Sequence, residues 1–315
     1  MKKTVEKEAT KLCVGLPRGL LYYRYRVLWK TFFSALGVQV VVSPQTNKEI
    51  VERGAKAAID EACLSTKIYL GHVQALMGKC DYILVPRIDN FGMQREMCTK
   101  FQALYDLVCN TFRGSSQKFI SYNVDEHKKQ TEERAFYALG AELGFSRKQT
   151  AEAYKKARKT AAEDWKRRLK EQEQLFKKEG LKIMVAAHSY VLDDAYIGKP
   201  VLDLLEQMGV TALRADLTDT KEALKQSLKV SPTLKWELNR EIVGGIQICR
   251  DKIDGIVLLS AFPCGPDSMV NDIVMRRFSG IPILNLMLDN QSGTAGLETR
   301  LESFVDILNF KRGAL

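Results

Sequence analysis

The chain has 315 residues, of which 45% are hydrophobic and 27% charged. That balance excludes a disordered or fibrous protein and leaves room for two domains of ordinary size with a large buried core. Seven cysteines and a net charge of +10 complete the outline. The first residues are charged and lack the apolar run of a secretory signal, and no stretch approaches the roughly 18 apolar residues of a membrane span. The expectation is therefore a cytoplasmic protein with no membrane partner and with reduced thiols in place of a disulfide framework.

In chain order, apolar runs at 12–16, 38–43, 82–86 and 119–123 read as buried strands. The stretches near 20–36, 48–60, 64–77 and 99–112 read as the helices between them. A helical segment follows from about 126 to 178. The pattern then begins again, with strands at 182–187, 212–215, 255–259 and 283–287 and helices at 201–208 and 268–278. Alternation of this kind predicts the α/β class with parallel sheets covered by helices on both faces. The domain plan is an N-terminal α/β domain over 1–125, a helical connection over 126–180, and a C-terminal α/β domain over 181–315.

The positive charge is concentrated in one place. Between Arg147 and Lys182 there are 13 Lys and Arg against 6 Asp and Glu. Ala151, Tyr154, Ala157, Ala161, Trp165, Leu169 and Phe176 recur there at three- and four-residue steps, the pattern of a long amphipathic helix with a solvated basic face. It reads either as an exposed helix lying across the molecule or as a docking surface for an acidic partner or the phosphates of a nucleotide-like ligand. Aromatic side chains are not interleaved with the basic ones as base stacking requires, so no nucleic-acid partner is expected.

Cys63, Cys98 and Cys264 each stand where a strand or loop gives way to the first turn of a helix. Free N–H groups and the positive end of the dipole at such a point are expected to depress a thiol pKa and to stabilise a sulfur ligand. Two readings remain open on residue types alone: three thiolates holding an iron–sulfur cluster with one iron lacking a protein sulfur, or three buried thiols acting as small hydrophobes. There is no CxxC, and with intervals of 35 and 166 residues only the fold can assemble the set. Cys98 and Cys264 are expected at the carboxyl edges of separate sheets, where ligands collect. The loop from Phe262 to Ser268 is built to present backbone: Gly265 permits close approach, Pro266 suits a first helical turn, and Asp267 favours its positive end.

Other candidates are weighed the same way. Cys13, Cys80 and Cys249, within or just before apolar strand-like stretches, read as core. Cys109, about three helical turns beyond Cys98 and so on the same helix face, is either packing or an extra thiolate of a larger cluster. His72 and His188 are either hydrogen-bonded structural residues or proton donors or ligands, with His188, at a strand end, the better functional candidate. Arg18, after the first strand, either binds a phosphate or carboxylate bidentately or closes the domains through an ion pair. The run Gly15 to Gly19 lacks the full dinucleotide fingerprint, so no nicotinamide cofactor is expected.

A set of motifs then carries a family resemblance over nearly the whole chain. They are Gly15-Leu16-Pro17-Arg18-Gly19-Leu20 with Leu28-Trp29-Lys30 and Phe33, then Ser43-Pro44 and Thr46-Asn47. Glu61-Ala62-Cys63 with Lys67 and Gly71-His72 follow, then Asp81-Tyr82-Ile83, Pro86-Arg87 and Cys98. Phe262 to Ser268 and Thr299 to Phe304 complete the set. In this order they resemble the 2-hydroxyacyl-CoA dehydratase-related family, similar to the 2-hydroxyglutaryl-CoA dehydratase and benzoyl-CoA reductase subunits, and more closely its activase-associated proteins. The resemblance implies two flavodoxin-like (Rossmann-like) domains holding a [4Fe–4S] cluster on Cys63, Cys98 and Cys264, or a double-cubane type in some relatives. It also implies an ATP-dependent activase as electron donor, an acyl-CoA or other small substrate dehydrated or reduced at low potential under anaerobic conditions, and a homodimer. The other class of function open to the same cleft is a non-catalytic accessory protein that binds or delivers an iron–sulfur cluster or a CoA-like ligand. His188 and Arg18 are the candidate catalytic residues in the first case. Two motifs depart from the family pattern: Asp289 is followed by Asn290 and Gln291 where Asp-Glu-His is usual, and Ala187-His188-Ser189-Tyr190 stands for Gly-Arg-Pro-Tyr.

Overall fold

The computed structural model describes residues 11–290 and 294–313; the charged first residues and Gln291 lie outside them. The first half runs β1 (Cys13–Leu16), α1 (Tyr22–Ala35), β2 (Gln39–Val42), α2 (Lys48–Ala57), α3 (Leu64–Leu76), β3 (Tyr82–Leu84), β4 (Arg87–Asn90), α4 (Thr99–Gln102), α5 (Leu104–Thr111), β5 (Lys118–Ile120) and β6 (Asn123–Asp125). Helices α6 (Glu132–Glu142) and α7 (Arg147–Phe176) follow. The second half runs β7 (Lys182–Ala186), α8 (Ser189–Leu192), α9 (Lys199–Gln207), β8 (Thr211–Arg214), α10 (Thr220–Val230), α11 (Glu237–Cys249), β9 (Gly255–Ala261), α12 (Gly265–Arg277), β10 (Ile283–Leu288) and α13 (Thr294–Lys311).

Both main sheets are four-stranded and wholly parallel, in the orders β2-β1-β3-β5 and β8-β7-β9-β10. These are the opening strands of the flavodoxin-like order. Continuous apolar runs such as Gly255–Ala261, buried at every position, form strands covered on both faces. Pro86 ends the ladder of β3, yet pairing resumes beyond it, where β4 lies parallel to β6. The single strands expected at 82–86 and 119–123 are thus each two short ones.

A tight helix pair separates the second and third strands of each sheet: α2 and α3 in the first, α10 and α11 in the second. Their approach requires glycine. A Cβ on Gly71 would lie 2.0 Å from the Ile50 carbonyl oxygen, and one on Gly244 would lie 1.8 Å from that of Ala223. Helix α3 is buried along almost its whole length. Its Leu64 and Ile68, with Val51 of α2, pack into the core between the second sheet, α9 and α13, while its Tyr69 and Leu70 belong to the first core. Apolar burial of this extent, about 25 cal/mol per Å², welds the halves together.

Four helices, α8, α10, α11 and α13, are additional to those expected. In α11 the residues Glu237, Asn239, Arg240 and Glu241 are buried with Ile242, Val243 and Ile246, so no clean apolar stripe exists to be read. Cys249, expected in a strand-like stretch, ends this helix. The helix expected over 99–112 breaks at Ala103, which leaves Cys98 and Cys109 on separate short elements.

Helix α7 opens with a capping box between Ser146 and Gln149 and packs along α1 and α6, burying Ala153 and Ala157 in the first core. Near its other end Gln172 donates to the carbonyls of Arg214 and Leu217 and accepts from the Arg214 N–H. The basic helix therefore spans both halves. Among the described residues no helix is long and apolar enough to cross a membrane.

Candidate functional site

Cys63, Cys98 and Cys264 are the N-cap residues of α3, α4 and α12. Each has extended backbone, and none of the three helices is capped by a side-chain oxygen. The backbone N–H groups of Lys100 and Phe101 reach the Cys98 thiol, and that of Asp267 reaches Cys264. The hydroxyl of Thr66 lies 3.2 Å from the Cys63 sulfur.

Contacts between the halves gather these caps at one crevice. The Leu64 N–H donates to the Phe262 carbonyl at 2.8 Å, tying the Cys63 turn to the Cys264 loop. The loop before Cys98 is fastened to α11 by a short ladder: Glu96 N–H to the Lys235 carbonyl at 3.0 Å and Glu237 N–H to the Glu96 carbonyl at 2.8 Å. Arg95 grips the buried Glu237 carboxylate at 2.6–3.2 Å, and Arg240 donates to the Gln94 carbonyl at 2.6 Å. Cys98 and Cys264 line one cavity of about 20 Å³, the volume of a single water. Cys63, Cys98 and Cys264 all neighbour the Tyr190 hydroxyl, and Cys63 neighbours both other cysteines.

The expected depression of thiol pKa does not hold at two of these positions. Burial pushes the Cys98 thiol up to about 11 against its N–H contacts. Burial, then the Asp267 carboxylate, pushes Cys264 up further. Desolvation outweighs the helix start when no positive charge faces the sulfur. Among the described residues no group of three or more His, Cys, Asp and Glu is arranged to hold a single metal ion.

His188, at the end of β7, caps α8 and stacks on Tyr190 with centroids 4.8 Å apart. Its Nε2 lies 2.8 Å from Asp267 Oδ1, which also accepts from Asn239 Nδ2 at 2.8 Å. Burial opposes the imidazolium, but the Asp267 charge and hydrogen bond outweigh it, so the His188 pKa is raised and that of Asp267 lowered. His188 thus shares the cavity of Cys98 and Cys264. Arg18 lies elsewhere. Its backbone N–H and Nε donate to Ser43, and its guanidinium stands over Tyr22. His72 is enclosed between the hydroxyls of Ser43 and Thr46, each at 2.9 Å, and burial lowers its pKa to about 3. Thr46 continues to Asp194 of the second half, which also accepts from Tyr23.

The remaining cysteines stay apart from the three. Cys13 and Cys80 neighbour one another and Asp81 at the amino end of the first sheet, Cys109 lies beside Tyr105 and Asp106, and Cys249 is packed in the second half's core. Sequence reading missed Trp236 and Asn239, which line the cavity from α11, and Tyr190. The one available signal was Tyr190 beside His188 at a strand end.

The fold and site define a two-lobed α/β protein with three helix-capping thiols at the lobe junction. The chain matches the CoA enzyme activase uncharacterised domain over residues 13–218 and belongs to that family, in agreement with the activase-associated, dehydratase-related group read from its motifs. No curated protein matches it.

Proposed function

We propose that Cys63, Cys98 and Cys264 hold a [4Fe–4S] cluster and that the chain is a redox component served by an ATP-dependent activase, acting in low-potential reduction or dehydration of an acyl-CoA or other small substrate. The observation that carries this reading is the meeting of three thiols, from segments far apart in sequence, as the caps of three helices at one crevice. The donor set fits. All three cysteines are half-buried, and backbone N–H groups face two of the thiols. The buried hydroxyls of Ser65, two residues after Cys63, and Ser260, four before Cys264, have no hydrogen-bond partner, and so remain available to sulfide or thiolate.

A bound cluster supplies one-electron chemistry at a potential set by hydrogen bonds to sulfur and by burial. The chain's own residues do the rest. The Leu64–Phe262 bond and the Glu96–Trp236 ladder hold the ligand loops at fixed separation. His188 keeps its Nε2 proton directed at Asp267 Oδ1, and Tyr190 shields that pair from water. Trp236 and Asn239 close one side of the crevice without offering a thiol.

Anaerobic purification followed by iron and sulfide assay and a visible spectrum tests the reading. Broad absorption near about 400 nm is expected, lost in Cys63→Ala, Cys98→Ala and Cys264→Ala. A folded protein from anaerobic cells that is colourless and free of iron overturns it.

A further inference from the structure

Helix α7, the edge strand β8 and helix α9 enclose a groove of about 740 Å³ that shares no lining residue with the cysteine cavity. Its deep end is built of guanidinium groups. Arg214, 13% exposed, is neutralised by Asp216 at 2.8 Å and by Asp193. Among the described residues Arg168, 12% exposed, has Asp193 as its one ion-pair partner, at 3.7 Å, and forms no side-chain hydrogen bond. Arg26 enters from α1 and has no hydrogen bond or ion pair among the described residues. Three guanidinium groups thus share two carboxylates. Burial, followed by the charge of Arg214, makes the Arg168 cation harder to keep than an ordinary arginine's. The acids that also line the groove, Glu171, Glu179 and Glu206, are exposed at its mouth, where Arg167 engages Glu171. Leu175, Leu202 and Val210 give it an apolar wall.

We propose that this groove binds an organic phosphate, with its phosphoryl oxygens between Arg168 and Arg26 and its apolar or ring portion against Leu175, Leu202 and Val210. A carboxylate is satisfied by one guanidinium fork. A phosphoryl group carries nearly two charges and three acceptor oxygens, enough for two forks at once. The dominant favourable term is relief of the excess positive charge in a partly desolvated place, so affinity falls as salt rises.

The reporter is built in, because the Arg168 guanidinium stands 5.7 Å from the centroid of the Trp165 ring. The whole purified chain is titrated at low salt with adenosine diphosphate, pyrophosphate and adenosine, reading tryptophan fluorescence and thermal shift, with Trp165→Phe assigning the signal. Adenosine diphosphate is expected to saturate, pyrophosphate to bind more weakly and adenosine not to bind. Arg168→Gln and Arg26→Gln should each weaken adenosine diphosphate about ten- to a hundred-fold, the worth of a charge-assisted hydrogen bond, while Arg134→Gln outside the groove leaves it unchanged. Arg26 is half-exposed, so its variant keeps the test valid if the more buried Arg168 variant folds poorly. No saturable binding of either phosphate compound, adenosine binding as tightly as its diphosphate, or affinity surviving both substitutions overturns the proposal. None of these outcomes depends on iron content.

Discussion

The two halves of the molecule repeat one another and then part at a single corner. Each sheet places its first strand second in order, inserts a glycine-packed helix pair before its third strand, and follows that strand with a helix capped by cysteine: Cys98 on α4, Cys264 on α12. Helices α3 and α11 correspond as well, each carrying its contact glycine eight residues past the cap, Gly71 after Cys63 and Gly244 after Trp236. A duplicated topology therefore brings four helix starts to one crevice, and three of them end in thiols. The fourth, the start of α11, is capped by Trp236. The next position differs too. His72 fills a buried polar chain in the first half, whereas Gly245 lets α11 settle against the Ala215 carbonyl.

The largest effect that can break this comparison is loss of all iron on removing any one of the three capping thiols, with Cys13→Ala, Cys109→Ala and Cys249→Ala retaining it. Iron that survives Cys63→Ala would show that the first half's extra thiol is idle. Next come the paired glycines. Gly71→Ala and Gly244→Ala each force a methyl into a backbone carbonyl and should lower stability by about 3 kcal/mol in urea unfolding. A much smaller loss in one of them would show that its helix pair yields and the correspondence is superficial.

A smaller effect is confined to the first half and depends on pH. His72 in the folded chain accepts a proton only near pH 3, but in the unfolded chain near its ordinary 6.5. Between those values the unfolded state holds more protons, so stability falls as pH drops from about 6.5 toward 3, by several kcal/mol in all. Unfolding measured at pH 7 and pH 5 should show this slope, and His72→Gln should flatten it. The smallest and most pointed change is Trp236→Cys, which places a thiol at the start of α11. Iron content is expected to stay at the wild-type level while the visible spectrum shifts; an unchanged spectrum places that corner out of reach.

Much of the architecture was legible in advance. Eight apolar runs alternating with helical patterns led to two parallel sheets, because a strand covered on both faces must be apolar throughout. Helix α11 was not legible, since its buried Glu237, Arg240 and Glu241 are paired with Arg95, Gln94 and Arg24 far away in sequence. The site divided likewise. Cys63, Cys98 and Cys264 stood out because each precedes a helical pattern, and His188 because it ends a strand. Nothing local marked Asp267 as the partner of His188, 79 residues distant.

By itself the sequence determined most of the strands and helices and three of the four helix starts, those at Cys63, Cys98 and Cys264, because strand burial and helix capping are properties of neighbouring residues. The tertiary structure alone decided that three helix-capping cysteines come to the junction of the halves, that Trp236 caps the corresponding helix α11, and that burial raises the pKa of Cys98 and Cys264 where the helix starts alone would lower it. Those outcomes depend on hydrogen bonds and desolvation across the junction of the halves, which no run of adjacent residues encodes.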